Sequence, residues 1–127
     1  MTKDKWTRCF FIPMAPQAKG RPRFWKGHAV TDPKTRAFEK AFALSARKYA
    51  PPKPLETQLS VTAVFQLAKP MRSSRPYPSR SDTDNYLKAI LDSLNGLFWK
   101  DDSQITDLHA RKIYGNPGIT VIVEEIA

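Results

Sequence analysis

Apolar and polar residues alternate along most of residues 59–67, which read Leu-Ser-Val-Thr-Ala-Val-Phe-Gln-Leu. Successive side chains of a strand point to opposite faces of its sheet, so this period predicts a half-buried strand. Shorter apolar stretches at about residues 8–14, 105–114 and 119–126 are rich in β-branched and aromatic residues, and they predict three more strands.

Two other segments space their apolar residues as a helix does. The first begins at Asp32, whose side chain can cap free backbone amides, and at Pro33, whose missing N–H would have no partner in the first turn. It is predicted to run to about Tyr49. The second begins near Asp82, ends at Asn95-Gly96, and has its apolar stripe at Leu87, Ile90, Leu91 and Leu94. These elements predict an α+β fold, with a small mixed β-sheet of about four strands and two helices packed on it.

The chain has 127 residues, the length of one domain, and we expect a single domain over residues 1–127. Its formal net charge of +9 favours a polyanionic partner, nucleic acid first, because each cation that meets a phosphate releases condensed counterions. No long apolar segment or basic amphipathic helix indicates membrane binding. The first residues lack the apolar core of a secretory signal and Cys9 is the single cysteine, so we expect a cytoplasmic protein with a buried, inert thiol.

Two basic segments are candidate DNA-binding surfaces. The first, residues 19–26, contains a glycine and a proline that predict a loop outside regular structure. Arginine can hold a phosphate with two hydrogen bonds, and an aromatic ring can stack on an unpaired base; alternatively, the rings fold back onto the core. The candidates for DNA contact are Lys19, Arg21 and Arg23, with Phe24 or Trp25 for stacking.

The second basic segment, residues 69–81, holds four cations, three prolines and four serines but no acid. It cannot offset its ordering entropy by burial, so it is predicted to be an exposed, flexible loop. Because it leads directly to Asp82, its cations could lie along a bound DNA backbone; the alternative is a solvated linker. Its candidates for DNA contact are Arg72, Arg75 and Arg80.

Six of the chain's twelve acidic residues fall between residues 82 and 107. If the strand after the second helix returns antiparallel to it, we expect Asp102 to approach Asp82 and Asp84. Three carboxylates held together repel one another unless a cation joins them, and such hard oxygen ligands suit Mg²⁺ or Mn²⁺. The structural alternative is a ladder of helix ion pairs, because Asp84, Lys88 and Asp92 are spaced four residues apart.

The order and spacing of these residues resemble the signature of the RusA family of Holliday junction resolvases. The matching segments are Asp82-Thr83-Asp84-Asn85-Tyr86-Leu87-Lys88, Leu91-Asp92-Ser93-Leu94 and Phe98-Trp99-Lys100-Asp101-Asp102-Ser103-Gln104. The resemblance implies a RusA-like dimer that binds four-way DNA junctions and nicks two opposed strands with Mg²⁺, for which Mn²⁺ can substitute. The basic segment at residues 69–81 departs from shorter family members in length and composition, which bears on substrate preference.

Matched position by position, the family's metal-binding acids correspond to Asp82, Asp84 and Asp102, and Asp101 is an auxiliary candidate. The essential lysine of the family corresponds to Lys88, and another basic position, a candidate DNA contact, corresponds to Lys112.

We therefore predict a Mg²⁺-dependent endodeoxyribonuclease that resolves four-way junctions by paired, symmetric nicking in DNA recombination and repair. Its partners would be branched DNA and a second copy of the chain, because a two-fold junction favours a two-fold dimer. The expected setting is the bacterial cytoplasm, with the protein encoded by the host or by a phage. Two alternatives stay open: a nucleic-acid-binding module without activity, and a metal-dependent nuclease for other branched substrates or RNA.

Overall fold

The computed structural model describes residues 5–20, 23–72, 75–79 and 81–126, with Arg23 described by its backbone alone. In this part of the chain the strands and α-helices follow one another as β1 Thr7–Ile12, β2 Arg23–Trp25, β3 His28–Val30, α1 Pro33–Ala46, β4 Leu59–Leu67, α2 Thr83–Leu94, β5 Ile105–Tyr114 and β6 Gly118–Glu125. Short 3-10 helices follow α1, at Arg47–Tyr49, and precede β5, at Asp102–Gln104.

The main sheet has the strand order β1-β6-β4-β5. Strand β6 runs antiparallel to both β1 and β4, whereas β4 and β5 are parallel and are connected through α2. Parallel neighbours need such a crossover because a tight hairpin can join only antiparallel strands. The predicted mixed sheet of four strands with two helices is confirmed, and α2 leads directly into the edge strand β5.

One face of the main sheet carries the hydrophobic core. Along β4, fully buried residues alternate with half-buried residues such as Ser60 and Thr62, because neighbouring side chains point to opposite faces. The helices cover the buried face, and the core residues that they and β4 contribute include Leu59, Val61, Ala63, Phe65, Phe38, Phe42, Ile90 and Leu94. No α-helix in the described ranges is long and apolar enough to cross a membrane.

The predicted helix ends agree closely with the structure. The side chain of Asp32 accepts a hydrogen bond from the backbone N–H of Thr35 at 3.3 Å, as a capping residue does. Helix α1 ends at Ala46, and a single 3-10 turn continues to Tyr49, so the regular helix is shorter than predicted. Helix α2 ends before Gly96, which has a φ of +84° and takes the left-handed conformation that glycine tolerates best.

Two predictions about the first thirty residues are wrong. The Cys9 side chain is exposed because Phe10 and Ile12 face the core and the alternation of β1 turns Cys9 to the opposite side. Residues 23–30 form a β-hairpin instead of a loop outside regular structure. Its two turn residues, Lys26 and Gly27, both have positive φ, which a tight two-residue hairpin turn requires.

Candidate functional site

The first turn of α2 carries two exposed carboxylates. Asp82 is the N-cap residue, and its backbone carbonyl accepts hydrogen bonds from the N–H groups of Asn85 at 3.1 Å and Tyr86 at 3.3 Å. Its side chain makes no capping bond. Asp84 lies in the first turn and is also exposed, and the positive end of the helix dipole favours both anions. Both carboxylates are therefore open to a cation from solvent.

Two lysines lie beside this turn. Lys88 is exposed and lies four residues after Asp84, which puts the two side chains on one helix surface. Within the described ranges, Lys88 forms no ion pair. Lys112 reaches across from β5, and its ammonium donates a hydrogen bond to the backbone carbonyl of Ser81 at 2.7 Å. The turn thus combines two acids with two cations.

Asp102 does not join Asp82 and Asp84 within one chain. Among the described residues, no group of three or more His, Cys, Asp or Glu side chains could hold a metal ion. Strand β5 does run back along α2, but Lys112, near its end, is the residue that reaches the start of α2. Asp102 precedes β5, and the strand from Ile105 to Lys112 is about 23 Å long. The expectation that one chain would gather all three acids is therefore wrong.

The segment around Asp102 has a structural explanation of its own. The indole N–H of the fully buried Trp99 donates to the Oδ1 atom of Asp102 at 2.7 Å. The Oδ2 atom of Asp101 accepts from the N–H of Ser103, and the backbone N–H of Asp101 donates to the side chain of Gln104, both at 2.9 Å. The side-chain and backbone hydrogen bonds of Ser103 lower the pKa of Asp101. This capping box fixes the entry to β5.

Lys19, a predicted DNA contact, is held in a cluster of opposite charges. Its ammonium contacts the carboxylate of Asp92 and lies 3.4 Å from that of Glu39. Burial lowers the pKa of Lys19, but the hydrogen bond and charge of Asp92, together with Glu39, outweigh that effect, so the pKa is raised. The structural alternative in which Asp92 pairs with Lys88 does not hold among the described residues, where Asp92 pairs with Lys19. No sequence pattern links Lys19 to Asp92, which is 73 positions away.

Only some of the remaining predicted DNA contacts lie within the described residues. Arg72 and Arg75 are exposed in the basic segment, whereas Arg21, Arg80 and the side chain of Arg23 lie outside the described residues. The part of the basic segment that is described is tied to β5, because the hydroxyl of Tyr114 donates to the carbonyl of Tyr77 at 2.7 Å and lies 3.2 Å from that of Arg75.

A cleft of about 670 Å³ separates the basic segment from the start of α2. The residues that line it include Pro16, Lys34, Leu67, Ser79, Ser81 and Tyr114. Sequence reasoning missed Lys34 and Tyr114, because neither residue lies in a charge cluster or motif. Lys34 lines the cleft together with prolines and serines of the basic segment, among them Ser81, which leads into Asp82.

Residues 13–124 match the family model for Endodeoxyribonuclease RusA. The chain belongs to the RusA family. A curated relative, the Uncharacterized protein YqaN of Bacillus subtilis (strain 168), is 31% identical in an alignment 141 positions long that covers 93% of this chain and 96% of YqaN. The family match confirms the resemblance seen in the acidic motifs and agrees with the α+β fold. It implies an endodeoxyribonuclease that acts on Holliday junctions.

The acids at the start of α2 fit the metal chemistry expected of a RusA-family nuclease in part. Magnesium ions in phosphoryl chemistry are commonly held by one or two carboxylates, with water and substrate phosphate completing the octahedron. Asp82 and Asp84 supply two such carboxylates on a rigid helix start. Asp102 of the same chain lies at the other end of β5, so it cannot complete that set by itself.

Proposed function

We propose that the protein is a Mg²⁺-dependent endonuclease that resolves four-way DNA junctions by nicking two opposed strands. The observation that carries the proposal is the pair of exposed acids Asp82 and Asp84, which form no ion pair among the described residues, with Lys88 and Lys112 beside them, on a basic protein of the RusA family. The net charge of +9 favours DNA binding, but two carboxylates on the binding surface would repel the DNA phosphates unless a cation neutralises them.

Asp82 and Asp84 would hold the ion, which when bound stabilises the charge that grows on the phosphate and makes a bound water more acidic. Lys88 donates a hydrogen bond to a non-bridging phosphate oxygen, since its ammonium lies one helical turn from Asp84 and forms no competing ion pair among the described residues. Lys112 holds the backbone of Ser81 and so positions the residue before Asp82.

The third acid of the site comes from a second copy of the chain. Asp102 is about a strand's length from Asp82 in the same chain, and the Asp102 oxygen that does not accept from Trp99 is available to a ligand. A two-fold dimer that places the two β5 strands side by side in opposite directions would bring the start of one β5 towards the end of the other. Each of two sites would then combine acids from both copies, and the two-fold symmetry would match paired incision.

The test uses a synthetic four-way junction labelled on each strand in turn, incubated with Mg²⁺, with Mn²⁺ or with EDTA. We expect symmetric, ligatable nicks that require the metal. Asp82→Asn should bind the junction as the wild type does but cut it about a hundredfold more slowly, the upper range found when groups around a catalytic metal are replaced. Glu124→Gln removes another exposed carboxylate, on β6 and outside both the acids of the site and the paired β5 strands, and should leave cleavage unchanged.

A panel of linear duplex, fork and flap substrates completes this experiment. Faster cutting of forks or flaps than of the four-way junction would replace junction resolution with a broader nuclease activity. Binding without metal-dependent nicks on any substrate, or full cleavage by Asp82→Asn, would contradict the proposal.

A further inference from the structure

The hairpin formed by β2 and β3 presents two aromatic rings to solvent. Phe24 is 79% exposed and Trp25 is 69% exposed, so the alternative that these rings fold back onto the core is wrong. Consecutive residues of a strand point to opposite faces, which puts one ring on each face of the hairpin. A two-stranded hairpin is marginally stable by itself, and neither ring belongs to the hydrophobic core that could support it. Their exposure therefore calls for a partner.

The described residues that flank the hairpin are held beside the candidate metal-binding acids. On the incoming side, the backbone N–H of Lys19 donates to the carbonyl of Asn85 at 3.1 Å, and the N–H of Gly20 donates to the hydroxyl of Thr35 at 2.8 Å. On the outgoing side, the chain enters α1 at its capping residue Asp32. Asn85 directly follows Asp84, so the hairpin emerges from the end of the molecule that carries the site.

The charge of the segment identifies the class of partner. Residues 15–31 contain no acid but several cations, and Lys26 stands at the hairpin turn. Exposed rings between cations are the combination by which proteins hold unpaired nucleotides, because every base has a face for stacking and every linkage has a phosphate for a cation. At a branch point the ends of the duplex arms expose base faces, whereas a continuous duplex offers none.

We propose that the β2–β3 hairpin is a wedge that enters the branch point of DNA and stacks Phe24 and Trp25 on base faces at the ends of two adjoining arms. The proposal rests on the proposed function in taking branched DNA as the substrate. Because Lys19, four residues before β2, is hydrogen-bonded to the residue that follows Asp84, a wedge in the branch point would place the candidate acids near a phosphate close to that branch.

The experiment measures binding to a four-way junction and to a linear duplex of the same sequence, both in EDTA so that no DNA is cut. The variants are Phe24→Ala, Trp25→Ala and their double variant, and Trp25→Phe retains a ring. Leu44→Ala, on α1, is the matched control because that side chain is 70% exposed and lies outside the hairpin. A 2-aminopurine base at the branch point reports local stacking, and the same base within an arm is the reference position.

Each alanine variant should bind the junction about tenfold more weakly, since base–aromatic stacking has this magnitude. Binding to the linear duplex should change by no more than about twofold, as for an ordinary surface substitution. The wild type should change the fluorescence of the branch-point base and not that of the arm base, and the double variant should lose this change. Trp25→Phe and Leu44→Ala should behave as the wild type. Thermal unfolding should be the same for all variants, because neither ring is part of the core.

The wedge is overturned if the alanine variants bind the junction as the wild type does, or if they lose affinity for junction and duplex equally. A change in oligomeric state or in binding to anionic vesicles, with junction selectivity intact, would assign the rings to a different partner and also overturn it. Metal-dependent cleavage by the wild type is measured in parallel. If the protein prefers the junction, loses this preference when the rings are removed and does not cut DNA, the wedge is retained and the nuclease function is rejected. If the protein cuts the junction but its preference for the junction does not depend on the rings, the nuclease function is retained and the wedge is rejected.

Discussion

The side-chain ammonium of Lys112 donates a hydrogen bond to the backbone carbonyl of Ser81 at 2.7 Å, across 31 positions of sequence. Ser81 has a φ of +62°, a left-handed conformation that costs a residue with a Cβ about 1 kcal/mol or more. The residue before Asp82 is therefore held in a strained conformation by a side chain from the neighbouring strand. The position of the acids at the start of α2 depends on β5 as well as on the helix itself.

Replacing Lys112 with Met should release this connection while keeping most of the apolar stem. We expect metal-dependent junction cleavage to fall by about tenfold in single-turnover experiments at saturating protein, the range typical of groups that orient a metal ligand. Arg111→Met is the matched control, because it removes the same charge from the adjacent position on the opposite face of β5. Equal losses for the two variants would mean that charge alone, and not the bond to Ser81, is responsible.

Lys19 and Asp92 should be coupled in stability. The pair is partly exposed, so a double-mutant cycle with Lys19→Met and Asp92→Asn should give a coupling free energy of about 0.5–1 kcal/mol in urea unfolding. The same cycle with Lys88→Met in place of Lys19→Met should give none, because Lys88 has no ion pair with Asp92 in the described structure. Coupling of Asp92 to Lys88 instead would restore the helix ladder.

The capping box at Asp101 should make the stability of the fold sensitive to acid. The hydrogen bonds from Ser103 lower the pKa of Asp101 below its ordinary 3.8, so the unfolded chain binds the proton more readily than the folded chain. The stabilisation is present above the unfolded pKa and is lost as the pH falls through the lower, folded pKa. Asp101→Ala should therefore unfold at a lower temperature than the wild type at pH 7, and the difference should narrow below about pH 4.

If the difference in unfolding temperature between Asp101→Ala and the wild type stays constant from pH 7 to pH 3, the charge of the carboxylate does not contribute to the cap. Ser103→Ala is the companion variant, because it keeps the backbone donor but removes the side-chain bond that is the largest cause of the lowered pKa. Its unfolding temperature should fall less than that of the wild type on acidification below about pH 4, because a smaller lowering of the Asp101 pKa leaves less stabilisation to lose.

The main sheet was predictable because its signals are local. The bounds predicted for β4 and β5 agree with the structure, since alternation and β-branched content are properties of one continuous segment. The hairpin at residues 23–30 was missed because its strands are three residues long and its Lys-Gly turn is a weaker signal than Asn-Gly. Phe98 and Trp99, which follow α2, are fully buried.

The site was predictable only where its residues share one helix. Asp82 and Asp84 are two positions apart at a helix start, so their common location follows from the sequence. The ion pair of Lys19 with Asp92 joins segments that are far apart in the sequence. It forms because the residues just before the hairpin pass beside α2, which no local pattern indicates. The antiparallel return of β5 along α2 was also expected correctly, but an antiparallel return brings the end of the strand, near Lys112, to the start of the helix. Asp102 precedes the start of β5 and therefore lies far from the start of α2, where the prediction had placed it.

Mixed dimers test whether Asp102 acts on the acids of a second copy. Asp82→Asn and Asp102→Asn chains should each, when expressed alone, cut about a hundredfold more slowly than the wild type. When the two are co-expressed with different tags, random pairing makes about half of the dimers mixed, and each mixed dimer contains one intact site and one with both substitutions. The mixture should therefore contain roughly a quarter of the intact sites of the wild type, and its nicking activity should be roughly a quarter of the wild-type activity. Each mixed dimer should make single nicks and no paired incision. Tag-selected mixed dimers should carry all of this activity.

Co-expression of Asp82→Asn with Asp84→Asn is the control for this experiment. Both substitutions affect the same helix start, so no combination of the two chains contains an intact pair of acids, and no activity should return. If the Asp82→Asn and Asp102→Asn mixture also stays inactive, Asp102 acts within its own chain. If Asp102→Asn alone cuts junctions at the wild-type rate, the carboxylate serves only as the hydrogen-bond acceptor of Trp99, and Asp82 and Asp84 hold the cation without it.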